Sequence, residues 1–234
     1  MRYRSTLLML IGICLCTLSS VYGQFYQRVE ADFTIKEQLT DSLSNLTFGR
    51  AYYDLGQGKL IYRVKFPERE IWGFQDSIFY RKTADTTLVS ASDAQAVRTS
   101  IFHLVLSGDL DNFGLPDTIF QKADVTREEG QIITTFQPIP PYDKVLGAIY
   151  ISKERKVVTG VIITDKEEKI LGKQFFRKYD MTLPLPFPQE LIQITYRKGK
   201  AYYRITTFEN IQYNVRDDEE WYAYPMPNTV GGTE

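Results

Sequence analysis

The sequence has 234 residues, with 28 basic and 29 acidic side chains and one histidine. A chain of this size is long enough for one all-β domain with a sizeable core, and the absence of any basic run argues against nucleic acid as a partner. Both cysteines, Cys14 and Cys16, lie in an N-terminal apolar stretch that we predict is removed, so the mature chain has no disulfide, thiol nucleophile or cysteine metal site.

Residues 1–23 have the pattern of a secretory signal peptide. Arg2 and Arg4 precede an apolar run over residues 7–18, and Gly23 stands at a position suited to signal peptidase. An uncleaved membrane anchor is the alternative, but the apolar run is shorter than the ~20 residues that a spanning helix needs. We predict cleavage after Gly23, which leaves a mature chain with a net charge of about −3.

The predicted domain covers residues 24–215, and its first half is dominated by a β-meander. Residues 25–46 are mixed and predict a short helix or strand that runs into a loop. From Phe48 to Lys82 the pattern changes to alternation: one face of an extended strand carries Leu60, Tyr62, Val64 and Phe66. Glycines at 56 and 58 predict a hairpin turn, Pro67 ends the second strand, and residues 76–77 mark another turn.

A helix is predicted over residues 92–107. Ser92 and Gln95 form a capping box, and Gly108 ends the helix. The apolar side chains fall on one broad face, which must be covered: Ala94, Val97, Ile101, Leu104 and Val105, widened by Phe102 and Leu106.

The second half predicts further antiparallel strands. Their ranges are 118–126, 131–137, 146–152, 157–164, 169–179, 191–197 and 200–214, with an irregular segment at 138–145. The Pro-rich run Leu183 to Pro188 is a rigid connector across the sheet or, alternatively, a lip on an apolar opening. Residues 216–234 are predicted to be a flexible tail apart from Trp221 to Tyr224.

The sequence contains few residues in arrangements that are typical of a catalytic site. His103 lies within the predicted helix, no Gly-x-Ser-x-Gly elbow is present, and a single imidazole without cysteines cannot make an ordinary zinc site. Paired acids fall at turns or in the tail, where solvated charge is usual. We therefore expect a protein that is not an enzyme and that needs no metal or cofactor.

The stretch from Phe48 to Lys82 resembles the periplasmic outer-membrane lipoprotein carriers of the LolA type. That family's pattern is Gly-Arg, two aromatics, a turn, Gly-Lys-Leu, an aromatic, a proline, then an aspartate turn and an aromatic pair. The matching residues are Gly49, Arg50, Tyr52, Tyr53, Gly58, Lys59, Leu60, Tyr62, Pro67, Asp76, Phe79 and Tyr80. Two departures are Leu55-Gly56-Gln57 in place of the usual Arg-Pro turn, and Ser77 in place of a glycine.

The resemblance implies a mainly β fold with few helices: a curved antiparallel sheet, forming an incomplete barrel, with helices over its concave side. It implies a periplasmic carrier whose apolar cavity shields lipoprotein acyl chains or lipid on the way to the outer membrane. The implied partners are a lipoprotein-releasing ABC transporter of the inner membrane and an outer-membrane acceptor. About ten buried methylenes would contribute about 8 kcal/mol, with no covalent chemistry.

The candidate lipid-binding residues are Leu60, Tyr62, Val64, Phe66, Trp72, Phe74, Ile101, Leu104 and Val105. Each of them could instead be a packed core residue that touches no ligand. A second hypothesis is also open, in which the protein is an interaction module of an envelope assembly and docks a polypeptide on its sheet surface or an edge strand.

Overall fold

The computed structural model describes residues 26–40, 43–91, 95–197 and 199–227. These residues form thirteen strands, three short α-helices and two 3₁₀ turns. The strands are β1 Arg28–Thr40, β2 Leu43–Asp54, β3 Lys59–Phe66, β4 Glu70–Gln75, β5 Ile78–Lys82, β6 Thr87–Ala91, β7 Phe120–Glu128, β8 Gln131–Pro138, β9 Ile149–Glu154, β10 Val157–Thr164, β11 Ile170–Asp180, β12 Phe187–Arg197 and β13 Lys200–Tyr213. The helices are α1 Gln95–Arg98, α2 Ile101–Ser107 and α3 Glu219–Tyr222, and the 3₁₀ turns are Asp109–Asn112 and Tyr142–Lys144.

All thirteen strands belong to one open antiparallel sheet. Their order is β6-β5-β4-β3-β2-β1-β13-β12-β11-β10-β9-β8-β7, so every pair of neighbouring strands except β1 and β13 is also consecutive in sequence. That single long-range pairing joins the first and last strands in the middle of the sheet. Strands β6 and β7 follow each other along the chain but form the two opposite edges of the sheet. The predicted meander and the mainly β fold class are confirmed.

The first hairpin turns where predicted, between Asp54 and Lys59, with Tyr53 opposite Leu60, and β3 ends at Phe66 just before Pro67. Upstream of it, the prediction was a short helix or strand that runs into a loop; a strand does form, but its predicted shortness and the loop are wrong. Thirteen residues form β1, and β2 begins at Leu43, because both strands pair along nearly their whole length. Pairing with neighbours thus overrides the weak local pattern of residues 25–46.

The predicted helix over residues 92–107 is divided into α1 and α2. Ser100 adopts an extended backbone and accepts a hydrogen bond on its side chain from the backbone N–H of His103, so it caps α2 and separates the two helices. Gly108 ends α2 with φ of 77°, as predicted. The capping serine predicted at position 92 and the predicted signal peptide lie outside the described residues.

The run from Leu183 to Pro188 is only partly a connector. Leu183 and Leu185 pack against the main core, whereas Phe187 and Pro188 already belong to β12, with Pro188 opposite Tyr179. None of the helices in the described ranges is long and apolar enough to cross a membrane.

The main core lies between the concave face of the sheet and α2. Phe102 and Leu104 of α2 are fully buried, and Phe102 lies 5.7 Å from the ring of Phe187 and 5.3 Å from that of Phe208. Strands on both sides of the β1–β13 pairing contribute to this cluster, so the helix closes the sheet over its middle.

A second, smaller core lies on the opposite, convex face and was missed by the sequence analysis. The tail was predicted to be flexible apart from Trp221 to Tyr224, and the structure shows that Glu219–Tyr222 form α3 and that residues 221–226 pack across β2 to β4. Tyr222 is buried there beside Tyr52 and Ile61, and its hydroxyl donates to Glu30 at 3.0 Å. Arg50 donates to the same buried carboxylate at 2.6 Å.

Candidate functional site

A cavity of about 320 Å³ lies between the concave face of the sheet and the helices. Leu60 of β3 and Phe176 of β11 both line it, although five interstrand steps of about 4.8 Å separate their strands. Two such distant strands can border one small cavity only if the sheet curves around it. The lining residues are Ile35, Glu37, Thr47, Leu60, Tyr62, Trp72, Phe74, Ala96, Thr99, Ser100, Ile101, Leu104, Phe113, Gln174, Phe176, Leu191, Gln193, Arg204, Thr206 and Phe208.

Six of the nine predicted lipid-binding residues line this cavity. They are Leu60, Tyr62, Trp72, Phe74, Ile101 and Leu104. Their spacing brings them together as the alternation predicts, since Tyr62 lies opposite Trp72 and Leu60 opposite Phe74 on neighbouring strands. Whether these residues bind lipid stays a prediction.

The other three predicted residues do not line the cavity. Val64 is buried in the main core, and Val105 borders a second, smaller cavity of about 140 Å³ on another side of α2. Phe66 is 41% exposed and stacks on Phe48 with ring centroids 5.3 Å apart. The alternation fails at Phe66 because the pairing register shifts between Phe48 and Gly49, which turns the end of β3 away from the cavity.

Sequence reasoning missed the half of the lining that comes from distant strands. Ile35, Phe176, Leu191 and Phe208 belong to β1, β11, β12 and β13. Alternation along each strand could have identified the face to which these residues belong. Alternation could not have shown that β13 pairs with β1, and this pairing is what places the apolar residues of β11 to β13 beside those of β1 to β4 around the cavity.

The lining becomes more polar at the same height on four neighbouring strands, and on three of them it changes from an apolar to a polar residue. In the inner cross-strand row, Ile35 faces Thr206, which faces Leu191, which faces Phe176. In the next row outward on the same face, Glu37 faces Arg204, which faces Gln193, which faces Gln174. Side chains two residues apart share a face, so the cavity has a mainly apolar interior, which includes Thr47 and Thr206, and a polar rim.

One ion pair lies on this rim. Nε of Arg204 donates to a carboxylate oxygen of Glu37 at 2.7 Å, and both residues line the cavity. Deeper inside, burial raises the pKa of Tyr62 to about 12. The phenol of Tyr62 is thus even less prone to ionise than an exposed one, and its ring lines the cavity.

The only histidine of the chain takes a structural position. Nδ1 of His103 lies 2.6 Å from the hydroxyl of Tyr53, and burial lowers the pKa of the imidazole. It is half-buried between α2 and β2 rather than simply on the helix surface. Within the described ranges, no group of three or more His, Cys, Asp or Glu side chains is placed to hold a metal ion.

No protein-family model matches the sequence, and a comparison with curated protein sequences finds no match. Solved structures do match the fold. A LolA superfamily protein from Nitrosomonas europaea superposes with a TM-score of 0.58 at 9% identity, covering 84% of this chain and 90% of that one. A structure described as an outer membrane lipoprotein-sorting protein domain, from Vibrio parahaemolyticus, gives 0.58 at 9% identity, covering 85% and 90%.

A DUF1329 family protein from Desulfovibrio piger gives a TM-score of 0.57 at 10% identity, covering 90% of this chain and 93% of that one. At these identities the matches establish the architecture, and they extend over most of every chain compared. The resemblance drawn from residues 48–82 is thus confirmed at the level of fold: this chain has the fold of the LolA superfamily.

Proposed function

We propose that the protein is a non-enzymatic carrier of the bacterial periplasm, which shields the acyl chain of a lipid or lipoprotein and moves it toward the outer membrane. The observation that carries this proposal is the cavity between sheet and helices, with its apolar interior and open polar rim. The fold shared with an outer membrane lipoprotein-sorting domain supports the same direction of transport.

The size of the cavity suits an acyl chain. Its volume of about 320 Å³ lies at the lower end of the roughly 300–1,000 Å³ typical of ligand pockets. Each methylene that moves from water into such a site contributes about 0.8 kcal/mol, so ten methylenes give about 8 kcal/mol. The freedom that the lipid loses on binding offsets several kcal/mol of this gain, so the net affinity is weaker than the transfer free energy alone and permits release of the cargo.

Transfer of the cargo then requires no covalent step. A donor releases the chain into the cavity, and an acceptor that binds the chain more tightly withdraws it. An ABC transporter of the inner membrane and an acceptor at the outer membrane fit these two roles. The signal peptide predicted over residues 1–23 supports export to the compartment between them.

A cavity-filling variant tests the proposal. Ala96 lines the cavity from the short helix α1 and is only half-buried, so Ala96→Phe adds bulk inside the cavity at little cost in packing. We expect it to weaken binding of decanol about tenfold or more, measured by displacement of a neutral naphthylamine probe. Leu88→Phe is the matched control, because Leu88 is exposed on β6 and does not line the cavity.

Native mass spectrometry of protein purified from its own periplasm provides the second readout. Acyl species that co-purify with the wild type and are depleted in Ala96→Phe support carriage. An empty wild-type protein that also fails to bind decanol refutes it.

One observation favours a docking role as the second candidate. Strand β7 lies at the edge of the sheet, and residues 121–128 are all exposed, so its outer backbone groups can pair with an added strand. A protein that lacks lipid but co-purifies with a polypeptide, and loses that polypeptide when Val125→Pro blocks the edge, would establish this alternative.

A further inference from the structure

A polar cleft of about 220 Å³ adjoins the apolar cavity. Glu37, Gln193 and Arg204 line both spaces, and the cleft continues outward along Thr195, Arg197 and Tyr202. Building on the carrier function proposed above, we infer that the cargo is an amphiphile with an anionic headgroup, whose carboxylate or phosphate occupies this cleft while its chain fills the cavity.

The first argument is the alignment of the two spaces along the strands. On β13 the concave face carries Phe208 and Thr206 in the interior, then Arg204 at the rim and Tyr202 in the cleft. Phe208 and Arg204 are four residues apart, which is about 13 Å along a strand. A ligand lying along β13 would therefore leave the apolar region at Arg204.

The second argument is charge. The cleft is lined by two arginines and one glutamate, so it keeps a positive excess after Arg204 pairs with Glu37. Arg197 makes no ion pair with any residue of the described ranges, and Lys200 lies directly across the hairpin from it. A guanidinium presents a planar set of donors that match a carboxylate or phosphate.

The third argument is hydrogen bonding. Gln193, Thr195 and Tyr202 add neutral polar groups between the two arginines, and Thr195 faces Tyr202 across the β12–β13 pair. A headgroup placed here would be surrounded by donors on two neighbouring strands. Glu37 is the one group that opposes an anion, so removing its charge should strengthen binding.

Matched ten-carbon amphiphiles test the inference. Decyl phosphate and decanoate should bind the wild type about tenfold more tightly than decanol at low salt, and most of this difference should disappear in 0.5 M NaCl. Arg197→Gln should weaken decyl phosphate binding about threefold to fivefold and leave decanol binding unchanged. Glu37→Gln should strengthen decyl phosphate binding about threefold by freeing Arg204.

Arg177→Gln serves as the control, because Arg177 is an exposed arginine of β11 that lines neither space. Inorganic phosphate tests whether the cleft binds a lipid headgroup or any free anion. It should bind at least a hundredfold more weakly than decyl phosphate, and equal binding of the two overturns the inference. Equal affinity for decanol and decyl phosphate also overturns it but leaves the carrier function standing. Failure of all three amphiphiles to bind refutes the carrier function itself.

Discussion

Tyr222 provides the sharpest test of how the C-terminal segment contributes to stability. Its ring is 1% exposed, lies edge-on to Tyr52 with centroids 5.7 Å apart, and is covered by the guanidinium of Arg28 at 4.7 Å. Its hydroxyl donates to the buried carboxylate of Glu30. We predict that Tyr222→Ala destabilises the protein strongly, because it empties the centre of the convex-face core.

The expected magnitude follows from two contributions. Burial of a tyrosine removes about 150–250 Å² from water, and large aromatic-to-alanine changes in cores cost about 3–5 kcal/mol. The hydrogen bond to a charged group adds about 1.5 kcal/mol, of which Arg50 preserves part by its own bond to Glu30. We therefore expect a loss of about 4–5 kcal/mol for Tyr222→Ala and about 1.5 kcal/mol for Tyr222→Phe.

Urea unfolding, followed by circular dichroism, measures both changes. With a slope of about 2 kcal/mol per molar urea, Tyr222→Ala should lower the midpoint by about 2 M. Tyr203→Phe is the control, because Tyr203 is 43% exposed on β13 and should change stability by less than about 0.5 kcal/mol. A loss below about 1 kcal/mol for Tyr222→Ala would show that the C-terminal segment does not unfold together with the sheet.

Two further predictions concern the sheet. A Cβ on Gly49 would lie 2.1 Å from the carbonyl oxygen of Arg63, so Gly49→Ala should lower the free energy of unfolding in urea by about 3 kcal/mol. A Cβ on Gly108 would meet only open space, so Gly108→Ala should lower it by about 1 kcal/mol, because of the positive φ at this position. The hydrogen bond from Arg81 lowers the pKa of the Glu70 carboxyl group in the folded protein. The stabilisation that this carboxylate provides is therefore complete above its unfolded pKa of about 4.3, and it is lost as the pH falls through the folded pKa. Glu70→Gln should thus be less stable than wild type at pH 7, with the gap in urea midpoint closing toward pH 3; a gap that is constant with pH would contradict this.

Two of the residues on which the family resemblance was based, Gly49 and Arg50, are required by their local structural surroundings. Gly49 leaves room for the close approach of Arg63 at the point where the register of β2 and β3 shifts. Arg50 pairs with Glu30 and Asp32 on the neighbouring strand. Such short-range requirements restrict which residues can stand at these positions, which is why the first hairpin and its turn could be predicted from the sequence.

The helical segment and the cavity lining were predicted only in part from the sequence. The apolar face was correctly predicted over residues 97–106, but the break at Ser100 depends on which local cap the backbone adopts. Alternation assigned Leu60 and Tyr62 to an inward face, while the loss of Phe66 from that face depends on a one-residue register shift. Period-two patterns specify faces, and they do not specify bulges.

The sequence alone determined that the chain is a meander of amphipathic strands, because alternation and turn residues act over a few positions. Only the tertiary structure decided that β1 pairs with β13, that residues 219–226 cover the convex face, and that Arg204 stands where an apolar cavity becomes a polar cleft. The β1–β13 pairing and the contact of Tyr222 with Glu30 join residues more than 160 positions apart, and such contacts are selected by the burial and pairing of the whole sheet rather than by any local pattern.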